Sequence, residues 1–197
     1  GFRMIMSAMA WGGLSVCRCC GPHSLSQLSL YESAQQGDIA GVKRHLKMGA
    51  DVDERGQEGW TALMVAVYRG DVAMARLLLK RAADVNARNI HGVTVLMVAI
   101  HRGQREMERL LVEHGADVNA QTPAGRSSLM FAVRKGDIRI VDDLLTRGAD
   151  VTVVDQAGGS IWTELSRLQR RTGYARPDIV EKLEDYGAIQ SVTALPD

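Results

Sequence analysis

Hydrophobic residues recur in short blocks along the middle of the chain, and the blocks return at a fixed spacing. In "TALMVAVYRGDVAMARLLLK", which starts at Thr61, apolar positions recur every three or four residues. This period predicts two short helices separated by Gly70 and Asp71. Similar strings start at Thr94 and Ser127, each 33 residues after the one before. A constant interval of this length is typical of repeat proteins, in which neighbouring units bury apolar faces that one unit alone leaves exposed.

Polar and small residues mark where each predicted helix begins and ends. A threonine or serine precedes each first helix, where its hydroxyl can cap free N–H groups. A glycine is expected to end each helix, because the left-handed conformation favours it there. The string "ADV" follows the second helix in the first four units, with aspartates at Asp51, Asp84, Asp117 and Asp150. Ala82 replaces the glycine in one copy, and a left-handed alanine should cost roughly 1 kcal/mol.

The repeat divides most of the chain into five units. We expect a repeat domain over residues 28–192, with units at 29–59, 60–92, 93–125, 126–158 and 159–192. The first unit opens with "SLYESAQQGD" and the last has a longer connection between its helices. Because an end unit has no further neighbour, these departures predict capping units.

These strings resemble the ankyrin repeat. The resemblance implies an all-α solenoid of about five helix–turn–helix units joined by hairpin-like loops, with a non-repeat N-terminal tail. The family's Thr-Pro-Leu-His becomes Thr-Ala-Leu-Met, Thr-Val-Leu-Met and Ser-Ser-Leu-Met, so the family's histidine is Met64, Met97 and Met130. We expect these methionines to form a buried apolar row rather than a soft metal site, because methionine fills irregular core space.

The resemblance also implies that loop tips and the inner face of the first helices contact partner proteins. At matching positions the implied contact residues are Arg55, Trp60, Tyr68, Arg69, Arg88, Ile90, His91, His101, Arg102, Arg126, Arg134 and Lys135. Tryptophan, tyrosine and arginine are types enriched at interface hot spots.

The ends of the first helices predict a charged surface. They read Tyr68-Arg69, His101-Arg102, Arg134-Lys135 and Arg170-Arg171. Stacked helices lie about 8–10 Å apart, so these pairs are expected to form one basic ridge that fits an acidic protein surface. The alternative interpretation is that cations at helix C-termini only stabilise the helix dipole, and the pattern fits both.

Charge and residue types narrow the function further. With 24 Lys and Arg against 23 Asp and Glu, the net charge of +1 gives no general nucleic-acid signal. No phosphate-binding loop, nucleophile motif or metal-ligand spacing is present, and the five histidines are scattered. We therefore expect no enzymatic activity, no cofactor, no metal, no small-molecule substrate and no nucleic-acid partner.

Glu108 is a charged residue at an expected core position. Its counterparts in the neighbouring units are Ala75 and Val141. Pairing of Glu108 with Arg105 or Arg76 is the simpler expectation, and a functional switch is the alternative.

The N-terminal segment, residues 1–27, lies outside the repeat. It is apolar, lacks acidic residues and carries all three cysteines, Cys17, Cys19 and Cys20. Four interpretations remain open: a secretory leader, an organellar transit segment, a membrane or partner anchor acting through residues 1–20 and palmitoylated cysteines, and a zinc site built on the Cys-x-Cys-Cys-x-x-His string.

The favoured hypothesis is a non-catalytic protein-binding scaffold. The alternative is an accessory structural subunit of a larger membrane or organellar complex, held by its N-terminal tail; an enzyme regulator or a secreted effector shares the same solenoid. Because residues 28–197 contain no cysteine, we expect an intracellular location. The cytoplasm is favoured, and an organellar or membrane-associated location is the alternative.

Overall fold

The computed structural model describes residues 28–188, and five helix pairs lie in this range. The first helices of the pairs are α1 (Leu30–Gln36), α3 (Ala62–Arg69), α5 (Val95–Arg102), α7 (Ser128–Lys135) and α9 (Ile161–Thr172). The second helices are α2 (Ile39–Lys47), α4 (Val72–Lys80), α6 (Arg105–Glu113), α8 (Ile138–Thr146) and α10 (Pro177–Asp185). A short 3-10 helix, Gln57–Gly59, lies in the first loop. The five predicted helix–turn–helix units are confirmed.

Each first helix begins and ends as its sequence predicts. The Thr61 hydroxyl accepts a hydrogen bond from the backbone N–H of Met64 at 3.3 Å, and Thr94 and Ser127 cap α5 and α7 in the same way. Gly70 ends α3 with a φ of 76°, so its backbone N–H can bond carbonyls of the last turn. This left-handed geometry is why glycine recurs at the position.

The helices form two layers. Each first helix packs against the first helices of the adjacent units, and in the first four units it also packs against the second helix of its own unit. Residues 62–67 of α3 are all buried, as are 95–100 of α5, whereas the second helices bury only one side. The side chains of Met64, Met97 and Met130 are buried, which confirms the predicted apolar row.

The loops explain why aspartate returns every 33 residues. Asp84 Oδ1 accepts the N–H of Asn86 at 2.8 Å and closes a tight turn. Asn86 then reaches the next unit: its Oδ1 accepts the N–H of Asp117 at 2.8 Å and its Nδ2 donates to the Gly115 carbonyl at 3.1 Å. Asn119 repeats this pair of bonds one unit later. Antiparallel bridges, such as Arg88 with Thr94, make the loops hairpin-like.

The first loop junction departs from this pattern at two residues. Ala82 adopts a φ of 62°, so the expected left-handed alanine is confirmed. Asp53 occupies the position of Asn86 and accepts the Asp84 N–H at 2.9 Å. A carboxylate has no N–H to donate to the Ala82 carbonyl, so Asp53 makes one of the two inter-unit bonds that Asn86 makes at the next junction.

The end units carry their own stabilising contacts. Ser29 and Glu32 form a reciprocal capping box at the start of α1. At the other end α9 is 12 residues long, and Pro177 is the first residue of α10. The Arg176 guanidinium donates to the Gly136 carbonyl at 2.6 Å and ties the last unit to the fourth. The interpretations of residues 1–27 lie outside the described residues.

Candidate partner-binding surface

The ends of the first helices bring cations to one edge of the solenoid. Arg69, Arg102, Lys135 and Arg171 are all exposed there, and we call these four residues the basic row. Arg69 Nη1 donates to the Gln35 carbonyl at 2.8 Å, and Arg171 Nη2 donates to the Arg134 carbonyl at 2.7 Å. Both side chains therefore lie across the junction with the preceding unit.

Aromatic contacts hold the middle of the row in place. The Arg102 guanidinium lies 4.7 Å from the centre of the Tyr68 ring, which is cation–π geometry. Tyr68 in turn meets the Trp60 ring edge-on, with centres 5.8 Å apart and planes at 89°. Tyr68 is half-buried, so one part of its ring stays in contact with the core while Arg102 covers another.

The pKa of His101 shows that cations from two adjacent units affect the same side chain. Burial lowers the pKa of His101 below its ordinary value. The charges of Lys135 and Arg102 lower the pKa further, and Arg134 adds to them. His101 is therefore held towards its neutral form inside a positive field.

Arg134 has a different role from its counterparts. Its Nε lies 3.9 Å from Glu164 Oε2, and Arg167 of the same helix as Glu164 also pairs with that carboxylate. Glu164 is buried, so both arginines compensate a charge inside the solenoid. The continuous run of basic pairs expected from the sequence is thus interrupted at Arg134, and Lys135 is the exposed cation of that unit.

Two arginines at the loop edge link neighbouring units. Arg55 Nη1 donates to the Arg88 carbonyl at 2.6 Å, and Arg88 Nη1 donates to the Gln121 carbonyl at 2.6 Å. Gln121 occupies the corresponding place in the next unit, so no arginine continues this series. Both arginines are exposed.

The remaining predicted loop residues lie apart from the basic row. Ile90 is 68% exposed, and its backbone N–H donates to the Glu58 carbonyl at 3.0 Å. His91 Nε2 lies 4.0 Å from Glu58 Oε2. Arg126 Nε lies 3.7 Å from the buried carboxylate of Asp155. Apart from Ile90, these side chains mainly face acidic groups of their own chain.

Two expectations from the sequence are wrong in this part of the molecule. Trp60 is 1% exposed, so its side chain belongs to the core and is not available to a partner. Its position just before the helix cap turns the indole inward, and a helical period does not reveal this. Glu108 does not pair with either expected arginine, because Arg105 binds Asp143 and Arg76 lies near Glu106.

A surface depression of about 350 Å³ is lined by Arg76, Arg105, Glu106, Arg109, Leu110 and Glu113. This set contains no serine, cysteine or histidine to act as a nucleophile or a tuned base. Within residues 28–188 no three metal-ligating side chains come together, and no helix is long and apolar enough to cross a membrane.

The inter-unit contacts were the features that the sequence analysis missed. Asn86 and Asn119 follow their aspartates by two residues at the same 33-residue interval, so the signal was present. Arg171 and Arg176 carry no such signal, because the last unit departs from the repeat.

The two helical layers and their hairpin-like loops define a helical repeat solenoid. A family model described as ankyrin repeats (3 copies) matches residues 30–122 and 92–155, which together cover more than half of the chain. The chain therefore belongs to the ankyrin repeat family. No curated protein matches the chain in sequence. Ankyrin repeats are generally protein–protein interaction modules, and their domains are typically non-catalytic.

Proposed function

We propose that the repeat domain is a non-catalytic scaffold that binds an acidic protein surface through the basic row. The observation that carries this proposal is the alignment of exposed cations along one edge. Among the described residues, no carboxylate lies within ion-pair distance of Arg69, Arg102 or Lys135, whereas Arg105, Arg134 and Arg176 each have one.

The competing explanation is that these cations serve only the helix C-termini. Each would then stabilise its own helix by a few tenths of a kcal/mol and would act alone. The lowered pKa of His101 favours a shared role, because Lys135 from the next unit contributes to it as well as Arg102 from the same helix. An arrangement in which several cations reach one point is the arrangement that attracts an anionic surface.

A matched pair of charge reversals tests the proposal. The first variant carries Arg69→Glu, Arg102→Glu and Lys135→Glu. The second carries Lys43→Glu, Lys80→Glu and Arg81→Glu, which are exposed residues of the second-helix side and change the net charge equally. The probe is a fluorescently labelled poly-glutamate peptide, and fluorescence anisotropy measures its binding at low salt and at 0.2 M salt.

We expect the unmodified chain to bind the peptide and to lose affinity at the higher salt, because exposed charges are screened. The reversal of three of the four cations of the basic row should abolish binding, and the second variant should retain most of it. Equal loss in both variants would mean that only net charge matters and would contradict the proposal.

Location forms part of the same proposal. The absence of cysteine from residues 28–197 favours a reducing, intracellular compartment. The finding that no described helix could span a membrane does not bear on residues 1–27, and membrane contact through residues 1–20 stays a prediction.

A further inference from the structure

Three corresponding positions change from apolar to charged between one unit junction and the next. At the junction of the second and third units they are Val72, Ala75 and Leu110. At the junction of the third and fourth units, 33 residues later, they are Arg105, Glu108 and Asp143. We call this charged set, together with Arg147, the charged junction.

Glu108 is the buried member of the charged junction. Its side chain is 0% exposed, and neither carboxylate oxygen has a hydrogen-bond partner among the described residues. A buried carboxylate without hydrogen bonds is costly when ionised, because burial removes its hydration. Glu108 therefore occupies the position that Ala75 and Val141 hold in the neighbouring units. It lacks the hydrogen bonds that a charged group requires there.

The groups around Glu108 do not compensate its charge fully. Arg105 Nε binds Asp143 Oδ2 at 2.9 Å, so this cation is already engaged with another carboxylate across the junction. Asp143 of α8 opposes ionisation of Glu108, while Arg147 after α8 favours it. Arg105 and Arg109 of α6 also favour ionisation. The packed part of α5, residues 95–100, contributes no titratable group.

We propose that the contact between the third and fourth units is a proton-sensitive joint, which closes when Glu108 is neutral and loosens when Glu108 is ionised. A neutral carboxyl group can be buried between α6 and α8 at a small cost in free energy. An ionised one adds a second negative charge beside Asp143 and favours any opening that admits water. The joint would change how rigidly the two halves of the binding face are held together.

The direction of the effect follows from proton linkage. Burial, and after it the charge of Asp143, raises the pKa of Glu108 from 4.5 to about 7. When the junction opens, the pKa returns towards its ordinary value, so opening becomes easier as the pH rises from 4.5 to 7. With these two values the opening equilibrium increases about tenfold between pH 6 and pH 8.

Hydrogen exchange on the full chain tests the joint. Protection factors of backbone amides, corrected for the intrinsic pH dependence of exchange, are measured at pH 6 and pH 8. In the unmodified chain we expect amides of α6 and α8 to lose about tenfold in protection at pH 8, with a smaller change in α3 and α4. In Glu108→Gln, which cannot ionise, protection of α6 and α8 should be the same at both pH values.

Two further variants keep the test decisive. Glu113→Gln changes an exposed glutamate of the same helix and should behave as the unmodified chain does. Glu108→Ala copies the counterpart Ala75 and replaces Glu108→Gln if that variant does not fold. The proposal is overturned if the Glu108 variant keeps the pH dependence, or if all five units lose protection equally.

Discussion

The junction between the second and third units is apolar where the junction between the third and fourth units is charged. The loops of the two junctions are nearly the same, because Asn86 and Asn119 make equivalent pairs of inter-unit bonds. The second helices differ, with Ala75 in one and Glu108 in the other. The comparison indicates that the loops hold the register of the units. The packed faces of the second helices determine how strongly neighbouring units bind each other and how that strength depends on pH.

The largest expected effect comes from placing a carboxylate in the apolar junction. Ala75→Glu buries a carboxylate where Val72 and His114 stand in place of the arginines at 105 and 147, and it should reduce the free energy of unfolding by about 3–5 kcal/mol at pH 8. Urea denaturation followed by circular dichroism measures the loss. Ala73→Glu, at an exposed position of the same helix, should change stability by less than about 0.5 kcal/mol. Similar losses in both variants would contradict the comparison.

Removing the charge from the charged junction should have the opposite sign. Glu108 binds more protons in the folded chain than in the unfolded chain between pH 4.5 and 7, so its contribution to stability is present at low pH and is lost as the pH rises to 7. Glu108→Gln should therefore raise the free energy of unfolding by about 3 kcal/mol at pH 8 and by less than about 1 kcal/mol at pH 5. A gain of the same size at both pH values would show that packing, not charge, is responsible.

The sequence predicted most of the fold because each unit repeats local signals. Hydroxyl caps at Thr61 and Thr94, the glycine that ends each helix and the buried methionines all follow from short-range rules. The left-handed Ala82 followed from alignment with glycine in the other units. Glu108 could be identified as unusual in the same way.

The side-chain contacts between units were harder to predict from the sequence. Arg55 and Arg88 reach carbonyls that are 33 residues away, and Arg105 crosses to Asp143. These contacts depend on the exact rotation between stacked units, which no single unit encodes. The basic row was therefore predicted as a pattern, but the diversion of Arg134 to Glu164 was not.

The junction between the first and second units extends the comparison to backbone strain. Ala82 holds a φ of 62°, a conformation that costs an alanine roughly 1 kcal/mol and a glycine much less. Ala82→Gly should raise the free energy of unfolding by about that amount in urea denaturation. Gly115→Ala, where an added methyl group meets no other atom within 4 Å, should lower it comparably. A stabilising effect of Gly115→Ala would refute this explanation.

The smallest expected effect concerns one hydrogen bond of the same junction. Asp53→Asn supplies the amide donor that Asn86 and Asn119 use, and it should add a bond to the Ala82 carbonyl. We expect a gain of about 0.5–1 kcal/mol, measured by urea denaturation. The converse variant Asn86→Asp should lose a similar amount at its own junction. No difference between the two variants would indicate that the loop bonds do not set the register.

The ionisation of Glu108 itself gives the most direct test of the contrast between the two junctions. A carbon-13 NMR titration of the glutamate side-chain carboxyl groups, with Glu108 assigned by its absence from the Glu108→Gln spectrum, measures the pKa in the folded chain. The structure predicts a value of about 7. A pKa near the ordinary 4.5 would mean that the carboxylate is hydrated or paired. It would contradict the claim that a buried, uncompensated Glu108 makes the charged junction less stable than its apolar counterpart.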